Sequence, residues 1–356
     1  MSRSPERNRN RLRRSRRGSG QQPKVEDIAR AAGVSTASVS RVLNRSPEVS
    51  AELRRKVEAQ VAALGYVGHG AARALASLRS FTIGAVIPTL ENAIFAAGVE
   101  ALERRLHEAG YTLFVSISNY DLAHETLQIR RLLERGVEGV MLIGQSHESA
   151  AYRFLERNAI HYVNTWAFDP KSPHPCVGFD NYAAARRIAA YLIDIGHRRI
   201  AMIAGIQRDN DRAASRVEGI RDVLAERGLA LDPQRLLERP YDIAAGRQAA
   251  RALLAQHERP TAIVCGNDVL AMGCLFECQA QGIAVPGEVS ITGFDDLPLT
   301  AQLTPTLTTI HVPSREMGRQ AADYLLDCLA GATVATHSEI PANLLVRETT
   351  APPPGG

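Results

Sequence analysis

Residues 25–66 read VEDIARAAGVSTASVSRVLNRSPEVSAELRRKVEAQVAALGY, and their apolar spacing predicts three short helices. Val25, Ile28, Ala29 and Ala32 share one helical face, Gly33 breaks the run, and Val34 follows. Ser35 stands where it can cap a second helix whose apolar face is Val39, Val42 and Leu43. Ser50 can cap a third, with Leu53, Val57, Val61 and Leu64 at helical spacing. Ala29 is small where two helices must cross closely, and Gly33 supplies a turn residue that tolerates positive φ. With Val39 turned inward, Thr36, Ala37, Ser38, Ser40, Arg41 and Asn44 form the outer face of the second helix. Such a short polar face with one long cation fits a DNA major groove, where arginine grips guanine and the methyl groups of Thr and Ala meet thymine. The same pattern also suits an ordinary three-helix subdomain whose polar face is merely solvated.

The charge distribution points the same way as the first reading. Residues 1–79 carry 17 Lys and Arg against 6 Asp and Glu, whereas residues 80–356 carry 25 against 32. A small basic end on a larger acidic body implies a polyanion as partner for the first part only. Residues 1–22 hold eight arginines and almost nothing apolar, so they are expected to be a disordered basic tail, with or without a share in phosphate contacts. No run of 18 to 20 apolar residues exists to span a bilayer, and the Arg-rich start is no secretory signal, so a cytoplasmic, nucleoid-associated protein is expected. Cys176, Cys265, Cys274, Cys278 and Cys328 show no CxxC spacing and are expected to be buried and reduced.

From Phe81 onward strand and helix alternate. Apolar runs at 81–88, 111–117, 139–144, 161–166, 198–205, 261–268 and 289–296 are separated by amphipathic stretches such as 99–110 and 183–196. Strands apolar on both faces and linked by helices mean parallel sheets covered on each side, and their number calls for two lobes. The fold class expected is therefore α/β: a helix-turn-helix headpiece followed by two doubly wound parallel sheets. In such sheets ligands bind beyond the carboxyl ends of strands. Asn267, Asp268, Asp295 and Asp296 end strands there, and Arg216 opens a following helix. Thr89, Asn92 and Phe95 follow the first strand and are positioned to close over a ligand. Competing local roles are helix caps for Asp268 and Asp296, a cap or cleft position for Asp180 and Asn181, a turn for His197, and core or pocket for Trp166. The chain lacks GxSxG, HExxH, GxxxxGK[ST] and a GxGxxG after a strand; the nearest approach, GQSHE at 144–148, lacks the second glycine. No enzyme, cofactor or metal site is expected.

The stretch from Val25 to Tyr66 resembles the DNA-binding domain of the LacI (lactose repressor)/GalR family, through its AGVS turn, its VSRVLN helix, Val49-Ser50 and the LGY end. The resemblance implies base contacts by Thr36, Ala37 and Arg41, with Ser35, Ser38, Ser40 and Asn44 on or near the DNA backbone. Segment 71–80 is similar to the family's hinge, and Leu75 matches the leucine that wedges into the minor groove. Gly68-His69-Gly70 departs from the family pattern and raises the entropy cost of ordering that hinge. Residues 81–349 resemble the family's effector domain through RxxG at 216–219, GND at 266–268, GFDD at 293–296 and LTTI at 307–310. The resemblance implies effector contacts by Arg216, Asn267, Asp295 and Arg212, and a stacking role for Tyr241, in a cleft shared with Asn92 and Phe95. It implies a sequence-specific transcription regulator, a repressor on palindromic operator DNA, allosterically controlled by a sugar or sugar acid, with a purine as competitor. A homodimer is expected, since the end TTAPPPGG (349–356) cannot form the Leu heptad helix of tetrameric relatives. The boundaries expected are 1–22 for the tail, 23–67 for the headpiece, 68–80 for the hinge and 81–350 for the effector domain. Within that domain the first lobe takes about 81–177 and 306–331, and the second about 178–305 and 332–350.

Overall fold

In the computed structural model of the chain, residues 23–43, 46, 48–67, 79–91 and 93–354 are described. The basic segment 1–22, Asn44, Asn92 and hinge positions 68–78, Leu75 among them, lie outside the described residues. The chain divides into two units at Ser80 and Phe81.

The first unit is built on α1 (Val25–Ala32), α2 (Thr36–Leu43) and α3 (Ala51–Leu64). Gly33 takes φ 61° and ends α1 in the left-handed conformation that glycine adopts without steric cost. Ser50 caps α3 by accepting from Leu53 N at 3.2 Å, and Ser35 Oγ accepts from Ser38 N at 3.1 Å at the start of α2. Ile28, Ala29, Ala32, Val39, Val42 and Val57 form the core, so the apolar stripes of all three helices meet. Leu64, assigned to the apolar face by spacing, instead lies exposed at the last turn of α3.

The second unit holds two parallel sheets. The larger contains β1 (Thr82–Ile87), β2 (Thr112–Ile117), β3 (Gly139–Ile143), β4 (His161–Thr165), β5 (Cys176–Gly178) and β11 (His337–Glu339), in the order β11-β5-β4-β3-β1-β2. The smaller contains β6 (Ile200–Gly205), β7 (Leu236–Arg239), β8 (Ala262–Cys265) and β9 (Ser290–Thr292), in the order β7-β6-β8-β9. Strands β10 (Thr309–His311) and β12 (Asn343–Leu345) form a separate antiparallel pair. Four helices accompany the larger sheet: α4 (Ala93–Glu108), α5 (Leu122–Glu134), α6 (Ser149–Arg157) and α11 (Ser314–Leu329). With the smaller sheet come α7 (Asn181–Asp194), α8 (Asp211–Glu226), α9 (Ile243–Leu254) and α10 (Asp268–Gln281).

The continuous apolar runs are explained by burial on both faces. In β1 and β3, Ile83, Ala85, Ile87, Met141 and Ile143 enter one core, while Val86, Val140 and Leu142 enter the opposite one. In β6, Ile200, Met202 and Ala204 point one way and Ala201 and Ile203 the other. Strand β2 departs from this pattern: it lies at the sheet edge, and Phe114 and Val115 are exposed. Helices α4 and α11 cross at Gly98 and Gly318, where a Cβ on Gly318 would stand 2.0 Å from the Gly98 carbonyl oxygen. One boundary needs correction. Residues 332–350 do not all join the second lobe, because His337–Glu339 pairs in parallel with β5 and completes the first sheet. The return crossing therefore follows Glu339.

The free cysteines are buried, except Cys328, which is partly exposed. No described helix is long and apolar enough to cross a membrane, and no cluster of three His, Cys, Asp or Glu among the described residues is arranged to hold a metal.

Candidate functional site

On the first unit, Ser35, Thr36, Ala37, Ser40 and Arg41 are exposed, Ser38 is half-buried, and Val39 and Val42 anchor the opposite face of α2. Ser35 and Ser38 are engaged with each other, Oγ to Oγ at 2.9 Å, as well as in the cap. Arg41 enters no ion pair among the described residues and stands at the end of a polar ridge.

On the second unit, a narrow cavity lies between the lobes. Ile94, Phe95, Tyr120 and Trp166 line it from the first lobe, and Asn210, Arg212, Arg216, Tyr241, Asn267 and Asp295 from the second. These residues sit at or just beyond carboxyl ends of strands or in the first turn of the following helix, except Arg216, which does not open α8 as the sequence suggested but lies in its second turn. A wider chamber adjoins it and shares Tyr120, Asn210 and Tyr241 as walls. Tyr120 and Tyr241 face each other across the lobes with ring centroids 6.2 Å apart. Tyr241 lies so close over Gly205 that a Cβ there would stand 2.1 Å from its hydroxyl. Asn119, Tyr120, Trp166, Asp209, Asp295 and Asp296 all take positive φ without being glycine. Such backbone conformations persist where surrounding structure over-determines them, which is a habit of ligand clamps.

The polar groups of the cavity divide into engaged and disengaged atoms. Arg216 is buried and donates from Nε to Asn181 Oδ1 at 2.9 Å and from Nη1 to the Gly266 carbonyl at 2.7 Å. Its guanidinium carbon lies 3.6 Å from the centroid of the Phe294 ring. Asn181 in turn donates to the Trp166 carbonyl at 2.9 Å. Asn267 caps α10, with Oδ1 accepting from Leu270 N at 2.9 Å, while its Nδ2 has no hydrogen-bond partner among the described residues. The same is true of Trp166 Nε1 and Asp295 Oδ2, both buried. One cavity thus presents two unspent N–H donors and one carboxylate oxygen. Burial pushes the Asp295 carboxyl well above the usual carboxylate range despite the opposing pull of Arg216, and burial likewise lowers Arg216.

Several neighbours have other work. Asp268 does not cap α10; it accepts from Leu297 N at 2.8 Å and from Thr309 Oγ1 at 2.6 Å, and burial raises its carboxyl to about 6. Asp296 pairs with Arg347 at 2.6 Å and with His311 at 2.8 Å. Asp180 caps α7 through Ala183 N at 2.9 Å. His197 follows the turn after α7, is buried, and its ring bonds Thr261, Ser290 and the Ala351 carbonyl at 2.9 to 3.1 Å. Thr89 accepts from Glu91 N at 3.0 Å and lies outside the cavity lining. Tyr120 and Asn210 are absent from the sequence-derived set, although the rule of strand carboxyl ends applies to both: one follows β2, the other follows β6 and caps α8.

Residues 24–68 match the family model described as bacterial regulatory proteins, lacI family, and residues 189–350 match a periplasmic binding protein-like domain. The chain is 34% identical over 331 residues to the HTH-type transcriptional regulator GntR of Pseudomonas aeruginosa, covering 92% of this chain and 96% of that one. It is 30% identical to the HTH-type transcriptional repressor PurR of Aliivibrio salmonicida, over 85% of this chain and 91% of the relative. The crystal structure of the lac repressor dimer bound to operator and the anti-inducer ONPF superposes with a TM-score of 0.82 at 27% identity, covering 93% of this chain and all of that one. These relatives are regulators rather than enzymes, and the two-unit α/β architecture is shared along nearly the whole chain. The chain belongs to the LacI family of DNA-binding transcription regulators.

Proposed function

We propose that the protein is a cytoplasmic, dimeric repressor whose grip on palindromic operator DNA is set by a sugar or sugar acid bound between the lobes. Residues 23–67 act as the DNA reader, with Thr36, Ala37 and Arg41 on bases; 68–80 act as the hinge carrying Leu75. Residues 81–350 act as the effector-binding and dimerisation domain. The observation that carries the effector reading is the set of unspent polar atoms, Asn267 Nδ2, Trp166 Nε1 and Asp295 Oδ2, around one cavity. Two donors and an acceptor in a small space match hydroxyl groups, each of which can accept and donate at once. Arg216 adds a cation suited to a carboxylate or to adjacent hydroxyls, and Arg212, Phe95 and Tyr241 complete the walls.

A second reading is favoured by a specific feature. Phe95, Tyr120, Trp166 and Tyr241 supply enough aromatic wall to sandwich a flat purine base. Calorimetric titration of the full chain with aldoses, aldonic and uronic acids, and purine bases separates the two. Binding of an aldose or a sugar acid at micromolar affinity is expected. Heat from purines alone would overturn the sugar reading and keep the regulator.

A further inference from the structure

The GQSHE segment that follows β3 is not a nucleophile elbow, and the structure assigns it another task. We propose that the turn at residues 143–145 is the receiving half of a latch between the lobes, gripped by Asp211 and Arg212 at the start of α8, and that Gly144 and Asp211 are positioning residues for the effector cavity. Asp211 Oδ2 accepts from Gln145 N at 2.9 Å. Arg212 Nη1 donates to the Ile143 carbonyl at 3.1 Å and to Asp211 Oδ1 at 2.9 Å. The grip thus joins a charged pair from the second lobe to both a donor and an acceptor of the first lobe's main chain. Both side chains are largely removed from water, which strengthens the pairing.

The receiver is shaped for this contact. Gly144 takes φ 92°, and a Cβ there would stand 1.8 Å from Arg212 Nη1 and 2.6 Å from Asp211 Oδ1. Any side chain at 144 must therefore displace the grip, quite apart from the backbone strain. The turn is also braced from within its own lobe. Gly144 N donates to the Thr165 carbonyl at 2.8 Å, and the Gly144 carbonyl lies 3.0 Å from His147 Nε2. His147 pairs through its other nitrogen with Glu125. Gln145 Oε1 accepts from Asn164 at 2.9 Å and from Ser172 at 3.2 Å. A rigid receiver of this kind transmits lobe position rather than absorbing it. None of the contacts uses an atom of a ligand, so the latch sets how often the lobes meet and leaves the choice of effector to the cavity.

The test needs no effector and so stands apart from the reading of the cavity's ligand. Trp166 is the chain's single tryptophan, is buried, and lines the cavity. Its fluorescence therefore reports lobe separation through quenching by acrylamide. In the full chain, Gly144→Ala, which displaces both hydrogen bonds across the cleft, is expected to raise the quenching constant about fivefold, and Asp211→Ala, which removes the one from Gln145 N and the partner of Arg212, about threefold. Asp211→Asn, which keeps an acceptor for Gln145 N and loses the charge facing Arg212, should fall between wild type and Asp211→Ala. Leu155→Ala, a cavity in the first lobe's core on α6, should lower the melting temperature without raising quenching. Should Gly144→Ala fail to fold, Asp211→Asn carries the same expectation in smaller amount. Wild-type quenching in folded Asp211 variants, or a rise in Leu155→Ala equal to theirs, overturns the latch.

Discussion

Replacing Asp295 with asparagine is expected to make the protein more heat-stable in the absence of added effector and to remove its response to that effector. Asp295 is buried, its Oδ2 has no partner among the described residues, and burial has raised its carboxyl well above the ordinary range. A group whose folded-state pKa is raised contributes stability below its unfolded value and loses it as pH rises through the folded value. At neutral pH the buried carboxyl is therefore a liability, and Asp295→Asn relieves about 1 to 3 kcal/mol of unmet desolvation. Arg216 is not stranded by the change, because Asn181, the Gly266 carbonyl and the Phe294 ring still hold it. Asparagine also tolerates the positive φ of 123° at this position better than alanine does. Calorimetric melting at two pH values checks the sign: the gap between variant and wild type should be wide at pH 7.5 and narrow towards pH 4. Effector affinity should fall about 10- to 100-fold with loss of the carboxyl's hydrogen bond, so that a concentration saturating wild type no longer elicits the response. A variant that melts below wild type at neutral pH, or that binds effector as tightly, contradicts this view of the cavity.

Arg41→Ala is expected to abolish discrimination between operator and scrambled DNA while leaving the melting curve and effector binding nearly unchanged. Its side chain is exposed and outside any ion pair among the described residues, so little stability rests on it. On DNA, a bidentate arginine on guanine contributes about 1 to 3 kcal/mol of discrimination, and a two-fold dimer doubles it. The expected loss for the palindrome is thus about 2 to 6 kcal/mol. Fluorescence anisotropy on matched and scrambled duplexes reads the ratio directly, and an unchanged ratio would remove Arg41 from the base-reading set.

The headpiece is almost wholly legible in the sequence because local signals decide it. The Ile28, Ala32, Val39 and Val57 spacing, the glycine at 33 and the Ser50 cap each act within a few residues. Leu64 misleads because spacing alone cannot tell the last turn of a helix from its middle. The alternation of strand and helix is equally clear, yet the exposure of β2 is not, since an edge strand carries the same apolar residues as a buried one. Strand β11 falls to the wrong lobe in a sequence reading because HSE at 337–339 has no apolar signature, and only pairing with Cys176–Gly178 fixes its place. In the cavity, strand-end logic reaches Asn267 and Asp295 but cannot show that Asn267 spends its Oδ1 on a helix cap and leaves its Nδ2 without a partner among the described residues. Arg212 reads as a ligand contact, and its grip on the Ile143 carbonyl depends on a long-range approach that no local pattern encodes.

The proposed function requires that base reading by α2 be coupled to occupancy of the cavity within one chain. The coupling is measured by selecting duplexes from a random pool with the full-length protein, then titrating the winner with and without the metabolite found by calorimetry. A two-fold symmetric sequence is expected, bound about a thousandfold or more tighter than scrambled DNA. Its affinity should shift about 5- to 150-fold on adding metabolite, a shift absent in Asp295→Asn. Selection of no common sequence, or a wild-type affinity indifferent to a metabolite that demonstrably binds, would show that the two sites are not coupled as proposed.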